Sequence, residues 1–587
     1  MTSPRTLHPT RGRISRLLGG PVARHAPLLL ILAVAGHALW YARESLFVDR
    51  GDAYADCFVL VAGQHFAEEG FAACRFLPVH QPGPLRSPPE VYTHYPPGPD
   101  WINGLERRLF GWESLLQFRV PPILLMLTGY CAWYAFCYRF WGANAAFFSL
   151  AFLCTRELNS DLIDSIHGHA YHEALRLLGM TLVVAATEKP ASLLRFRLLW
   201  AVMFLNAWMS YESILDLQIF ALGYLAWVGL ERNGFRYAAV LAAPVSAFLL
   251  QQGINLLAVG PAHFTDLKNT LFHRVAGDPA RNPGWVADYL WLLAGRFDSL
   301  LGFPLWLLAP VFLVTLVLAA RKEDPFWELS ERGKVLILLF LAGISWWIVF
   351  SDHSRIHWFT FRHIAPFVAA LFGWSAAVAL ARWRGTEFPA SAPSALDGEA
   401  PLEPAEVPDT AGEPIDEGLS SPRDEPADDH QVTSRGRKTV AVLLAGAVAF
   451  ALCSETLIRG TAPVLKTAED QVFEQIRTAT QLTDSVLTNW NRTPFVRLGA
   501  ERRTHRVTTE DQLDEALQLR DKGENPALFA YREDRDHGRS ASTDPLYQEL
   551  DERHPAEREG QWTLFDLTAR KPETQPTSAD TPPPAPE

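Results

Sequence analysis

The feature that most limits this chain is a series of apolar runs of bilayer-spanning length, joined by connectors whose charge alternates along the sequence. A spanning helix needs roughly 17–25 apolar residues, because backbone groups in hydrocarbon must be hydrogen-bonded within the segment itself. Runs near that length lie at 26–41, 119–139, 143–158, 173–187, 198–213, 214–230, 237–257, 300–320, 335–351, 364–383 and 438–457, about eleven in all. Although 48% of the 587 residues are hydrophobic, as in many soluble proteins, that average mixes strongly apolar blocks with strongly polar ones. A polytopic α-helical membrane protein is therefore the expected class.

Short cytoplasmic loops carry an excess of Lys and Arg. Alternating from an inner N-terminus that holds Arg5, Arg11, Arg13, Arg16 and Arg24, the inner connectors receive Arg139, then Lys189, Arg195 and Arg197, then Arg232 and Arg236. Arg321, Lys322, Arg332 and Lys334 follow, and then Arg382, Arg384, Arg435, Arg437 and Lys438. The first run is read as a retained anchor, since no small-residue cleavage site follows it. The outer side then takes the loop after the first span, Asn159–His172, Tyr211–Asp216, Pro261–Asp298, Asp352–His363 and everything after about Ile458.

Between Glu387 and Asp429 stand thirteen Asp and Glu against the single Arg423, which matches the formal net charge of −12 for the whole chain. The remainder is near neutral, so the charge balance gives no footprint for nucleic acid. That stretch is rich in Pro and Ala and too poor in apolar residues to order itself. The expected organisation is a basic cytoplasmic N-terminus (1–25) and a transmembrane domain (26–383) with an outer loop at 49–118. A disordered acidic linker (384–437), a last span (438–457), an extracytoplasmic α/β module (458–570) and a disordered tail (571–587) follow. In the module, Leu465–Asn489 reads as helix and Pro494–Gly499 as strand. Thr508–Asp521 reads as helix, and Ala527–Tyr531 and Trp562–Leu567 read as strands. The module has neither a glycine-rich phosphate loop nor a nucleophile elbow. Six cysteines in this length exclude a disulfide scaffold, leaving Cys57 and Cys74 as either a pair in the outer loop or two separate thiols.

Ionisable residues gather on the outer face, where clustering at a membrane surface marks a site. Asp49 and Asp52 open the first loop, three positions apart, and YTHYPPGPDW closes it with Tyr92, His94 and Tyr95 set against prolines. His167, His169 and His172 offer imidazoles that could hold a divalent metal, or that simply lie at a helix end. In SDHSRIHWFTFRH, the residues Arg355, Arg362 and His363 alternate with aromatics, a pattern suited to a phosphate beside a lipid chain, or to a plain aromatic belt with positive anchors.

The first span followed at once by Asp49, Asp52 and Tyr54, the long outer loop closing in YTHYPPGPDW, the many later spans and the outer C-terminal module together resemble one family. It is the polyprenyl-phosphate-sugar glycosyltransferases of the type-C fold, which include protein O-mannosyltransferases and lipid A aminoarabinose transferases. The resemblance implies a multi-pass enzyme of the bacterial inner membrane with its site facing the periplasm or exterior. It would pass a sugar, with inversion, from a polyprenyl-phosphate donor to a lipid, glycan or protein acceptor. It implies Asp49 or Asp52 as the base, with Tyr92, His94 and Tyr95 near the donor. Family members often carry adjacent Asp-Glu, and Lys before the Pro-Pro pair; here the acids are separated and His94-Tyr95 stands in that place. A multi-pass transporter, with midplane polar residues and internal repeats, or a non-catalytic scaffold is the alternative class.

Overall fold

A computed structural model describes residues 21–48, 51–155, 161–187, 193–228, 234–276, 285–301, 331–384, 464–522, 524–533 and 543–569. In chain order, α1 (Pro21–Tyr41) is followed by α2 (Ala53–Glu68) and α3 (Gly98–Phe110). Then come α4 (Leu115–Thr155), α5 (Gly168–Thr187), α6 (Leu193–Met209), α7 (Asp216–Val228), α8 (Gly234–Val259), α9 (Ala262–Ala276) and α10 (Trp285–Leu301). After these, α11 (Glu331–Val349), α12 (Ser351–Ile356) and α13 (Ala365–Arg384) end the helical part. Two compact units result: one groups Met1–Ala42, His94–Pro96 and Arg119–Ala462, the other Arg43–Thr93, Pro97–Phe118 and Pro463–Glu587.

In the first unit, among the described residues, four helices are long and apolar enough to cross a membrane: Leu115–Thr155, Arg236–Val259, Glu331–Val349 and Phe359–Ala381. The apolar runs at 119–139 and 143–158 form one helix in α4, broken at Gly142, whose φ of 82° and ψ of 176° interrupt the helical ladder. Only glycine takes such a φ without strain, so the break falls where the sequence separates the two runs. Tight packing of membrane helices needs small residues at the contact. Gly373 on α13 meets that need, because a Cβ there would sit 2.3 Å from the carbonyl oxygen of Ala145 on α4. The runs at 173–187, 198–213 and 214–230 correspond to α5, α6 and α7, of 20, 17 and 13 residues. The runs at 300–320 and 438–457, the acidic linker and the tail lie outside the described residues.

The second unit joins two parts of the chain that the sequence keeps far apart. Its C-terminal part contains α14 (Ala468–Ala479), β1 (Asp484–Thr488), α15 (Thr493–Ala500), β2 (Arg503–Arg506), α16 (Glu510–Leu517), β3 (Asn525–Arg532), α17 (Pro545–Arg553), β4 (Ala556–Glu559) and β5 (Trp562–Asp566). The strands form one sheet in the order β2-β1-β3-β5-β4, with β1 parallel to β2 and β3, and β5 antiparallel to β3 and β4. Leu487, Phe529, Tyr531 and Phe565 pack with Leu513, Leu546 and Leu550 from α16 and α17. The loop after α1 is built onto this module. Phe47 lies edge-on to Phe473 and Phe495 at 4.8 and 5.8 Å, Ser45 donates to Asp470 at 3.1 Å, Arg503 donates to the Pro84 carbonyl at 2.8 Å, and Arg86 pairs with Glu524. One folded core cannot straddle a bilayer, so loop and module lie on the same side of any membrane the helices cross.

Two readings change here, and the open alternative for Cys57 and Cys74 is decided. The segment 465–489 is helical only to Ala479, and its end is strand β1. Pro494–Gly499 is not a strand but part of α15, because a proline in the first helical turn fixes φ and needs no donor. Cys57 and Cys74 are both buried free thiols, not a pair; Cys131 is exposed, unlike the buried Cys137 and Cys154.

Candidate active site

Connectors of the first unit converge on a polar network with almost no solvent contact. Helix α5 carries His169, His172, Glu173 and Arg176, which helical spacing places on one face. Arg176 donates to Asp216 at 3.1 Å and to the carbonyls of His363 and Arg362 at 3.1 and 2.8 Å, and it pairs with Glu173 three residues away. Arg362 pairs with Glu212 and contacts His169 Nδ1 at 2.6 Å. His363 Nδ1 lies 2.9 Å from Asp216, and His172 reaches Asn206 at 2.8 Å and Asp216 at 3.3 Å. Two guanidiniums thus face three carboxylates, and each charge is met inside the protein, the condition under which buried ions are tolerated.

Beside this network, His353 links the loop segment His94–Pro96 to the helices. The Trp346 indole, which can only donate, gives its hydrogen to His353 Nδ1 at 3.3 Å. His353 is thereby held in the tautomer protonated at Nε2, which donates to the Tyr95 oxygen at 3.2 Å. His94 Nε2 meets both oxygens of Asp266 on α9, at 3.0 and 2.9 Å. Arg355 is half-exposed and pairs with the buried Asp352 at 3.1 Å. Arg296 fixes this turn by donating to the Ser354 and Arg355 carbonyls at 2.6 and 2.7 Å.

The expected site residues therefore divide. Tyr95, His353 and Arg355 belong to the surroundings of one connector, whereas Arg362 and His363 are fully buried and engaged by Glu212, His169 and Asp216. The three imidazoles of the turn do not act as one set. His167 and His169 have ring centroids 4.9 Å apart, while His172 groups with Glu212 and His363, whose donor atoms lie within 4.8 Å of one another. Those three residues are the buried donors able to hold a divalent ion. Tyr92 belongs to the second unit, where its ring tilts against His80 at 4.6 Å. Asp52, in the same unit, is the N-cap of α2 and accepts from the Ala55 amide at 3.4 Å; Asp49 lies outside the described residues. Arg176, Asn206 and Trp346 were not singled out from sequence, although the i, i+3, i+4, i+7 polar stripe from His169 to Arg176 on an apolar helix is a signal that points to the first of them.

In the second unit, Asp100 in the first turn of α3 is buried, with His80 at 4.0 Å. Burial pushes its carboxyl up to about 8, and that of Glu106 up to about 7.

Apolar helices of spanning length, a polar cluster at their connectors and a separate α/β-containing unit describe a polytopic membrane protein of the type-C glycosyltransferase fold. No protein-family model and no curated protein matches the sequence. Among solved structures, the chain is similar to ArnT, the lipid A aminoarabinose transferase, from Cupriavidus metallidurans bound to undecaprenyl phosphate. That likeness has a TM-score of 0.53 and 14% identity, over 93% of this chain and 98% of that one. The apo structure of the same enzyme gives a TM-score of 0.51 and 13% identity, over 92% and 98%. An archaeal oligosaccharyltransferase, AglB from Archaeoglobus fulgidus in complex with an inhibitory peptide and a dolichol-phosphate, gives 0.49 and 11%, over 95% and 76%.

Proposed function

We propose that the chain is an integral-membrane glycosyltransferase that moves a sugar, with inversion, from a polyprenyl-phosphate donor to a lipid, glycan or protein acceptor on the extracytoplasmic face. What carries the reading is the fold shared with ArnT over 93% of this chain, in a structure that holds undecaprenyl phosphate. The common core of the first loop and the C-terminal part agrees with it, since both are expected outside.

Asp52 or Asp49 takes the proton of the acceptor hydroxyl, whose oxygen attacks the anomeric carbon as the bond to the lipid phosphate breaks and that phosphate leaves with the electron pair. A leaving phosphate needs fixed donors rather than a nucleotide pocket. Tyr95, His94 and the half-exposed Arg355 take that role here, and Arg362 and His363 hold the connector that bears Arg355. The test is sugar transfer from a radiolabelled polyprenyl-phosphate sugar in membranes carrying Asp49→Asn or Asp52→Asn. At least one variant is expected to lose transfer while remaining membrane-inserted, because Asn keeps the shape but accepts no proton. Full activity in both would refute the assignment, and a screen of a deletion strain for lost glycans names the acceptor. Reporter fusions after residues 70, 410 and 520 test the sidedness: 70 and 520 outside and 410 inside are expected.

A further inference from the structure

The second unit holds a guanidinium that its own chain does not neutralise. Arg497 projects from α15 toward α2, 5.9 Å over the Phe58 ring. Its NH2 group donates to the Thr504 carbonyl at 3.4 Å, and its Nε is buried with no hydrogen-bond partner. Among the described residues no carboxylate lies within ion-pair distance of it. Other arginines of the unit are satisfied differently: Arg477 meets Glu474 and Glu501, Arg503 meets Glu524, Arg532 meets Glu469, Arg558 meets Glu533, and the buried Arg502 has no acid but donates to Thr480 Oγ1 and to the carbonyls of Arg477, Thr480, Ala500 and Glu501. Burial lowers the Arg497 pKa, and of the two groups that oppose this, Tyr54 and Glu90, the latter is paired with Arg86 at 2.9 Å.

The surroundings add further donors, and the acids near them are engaged elsewhere: Glu524 bonds His505 at 2.8 Å, Glu90 pairs with Arg86, and Asp52, beside Tyr54, caps α2. Tyr54, on the first turn of α2 and 39% exposed, has Arg497 and Arg506 as its cationic neighbours. Arg506 ends β2 and is exposed. Burial first, then Arg497 and Arg86, hold His505 below its usual range, a sign of local positive potential. A cation removed from water without a counter-ion is destabilising, and an aromatic face compensates only part of that cost. Two guanidinium forks and a phenol hydroxyl match the several oxygens of a phosphate better than any neutral ligand.

We propose that Arg497, with Tyr54 and Arg506 at its rim, forms an anion subsite that takes a phosphate group. The identity of the carrier rests on the glycosyltransferase reading: the phosphate belongs either to the polyprenyl lipid or to a soluble, phosphate-bearing acceptor. The subsite gives the C-terminal part a direct role in substrate binding, because the arginines come from it and the tyrosine from the first loop.

The test uses the full chain in nanodiscs, with a polyprenyl phosphate in the bilayer as one probe and sn-glycerol 3-phosphate in solution as the other. Binding is read by native mass spectrometry and by the thermal midpoint. Arg497→Gln is expected to weaken one probe by about 10- to 100-fold, with Arg497→Lys between it and the wild type, as for a hydrogen bond to a charged group. Arg506→Gln and Tyr54→Phe are expected to give smaller losses for the same probe, and Arg477→Gln none. Loss with the lipid probe assigns the subsite to the lipid phosphate, and loss with the soluble probe assigns it to an acceptor. The unliganded midpoint of Arg497→Gln is expected at or above the wild type, whereas a purely structural arginine would lower it. Unchanged binding of both probes in the Arg497 variants overturns the proposal; should Arg497→Gln not fold, unchanged binding in Arg506→Gln and Tyr54→Phe does so. No readout uses sugar transfer, so a protein that binds phosphate but transfers nothing removes the functional reading and leaves the subsite.

Discussion

Arg362 in the first unit is buried and Arg497 in the second partly buried, but among the described residues only Arg362 is met by an acid. Arg362 is 1% exposed and pairs with Glu212, while the Arg497 fork has a carbonyl and an aromatic ring. A paired buried charge fixes architecture, since removing either partner leaves the other uncompensated. An unpaired one marks a place where something outside the chain supplies the counter-charge. The first unit uses its buried charges to hold connectors together, whereas in the second, on the proposal above, Arg497 is offered to a phosphate.

The largest effect expected from breaking this contrast is at the paired site. Arg362→Met or Glu212→Gln, each leaving one buried charge alone, should cost roughly 3–5 kcal/mol and show as a steep fall in folded yield and thermal midpoint in detergent. The double variant should recover a large part of that loss; a loss equal to the sum of the two would mean that the pair is not coupled.

The next effect concerns a buried acid of the second unit. The Asp100 carboxyl is raised from 3.8 to about 8, so the folded state holds its proton where the unfolded state has lost it. Stability from this group is complete below about pH 4 and falls as pH rises toward 8, by about 1.4 kcal/mol per pH unit in between. Asp100→Asn should flatten this slope, raising the midpoint more at pH 7 than at pH 5. An equal shift at both pH values would place the native carboxyl near its ordinary range.

Smaller still is Trp346→Phe, which keeps an aromatic ring but removes the hydrogen bond that sets the His353 tautomer. It should cost about 1 kcal/mol of stability. Transfer should fall further in this variant than in Tyr138→Phe, an exposed control, if Tyr95 is held for catalysis. The smallest effect belongs to Arg477→Gln, whose surface pairs with Glu474 and Glu501 should change stability by less than about 1 kcal/mol.

Hydropathy and turn chemistry are local, and they left clear marks. The two apolar runs on either side of Gly142, the polar stripe of α5 and the strands at Ala527–Tyr531 and Trp562–Leu567 can all be read in the sequence. Pro494 misled a strand reading because an apolar hexapeptide of that length fits either element, and the proline at the first turn decided for helix. Arg362 and His363 stand out in the sequence, and Glu212 and Asp216 lie in the segment Tyr211–Asp216 expected on the same side, but nothing in their spacing says that Arg362 meets Glu212 while His363 meets Asp216.

By itself, then, the sequence determined that this is a membrane protein and where its apolar segments lie, because burial in hydrocarbon constrains each segment independently of the others. Only the tertiary structure decided that the loop after the first helix and the C-terminal α/β part form one core, with Ser45 bonded to Asp470 across 425 positions. It alone also decided which guanidiniums are neutralised. Ion pairing is a through-space property, and Arg176, Arg362 and Arg497 are alike in the sequence until folding brings an acid to two of them and, among the described residues, none to the third.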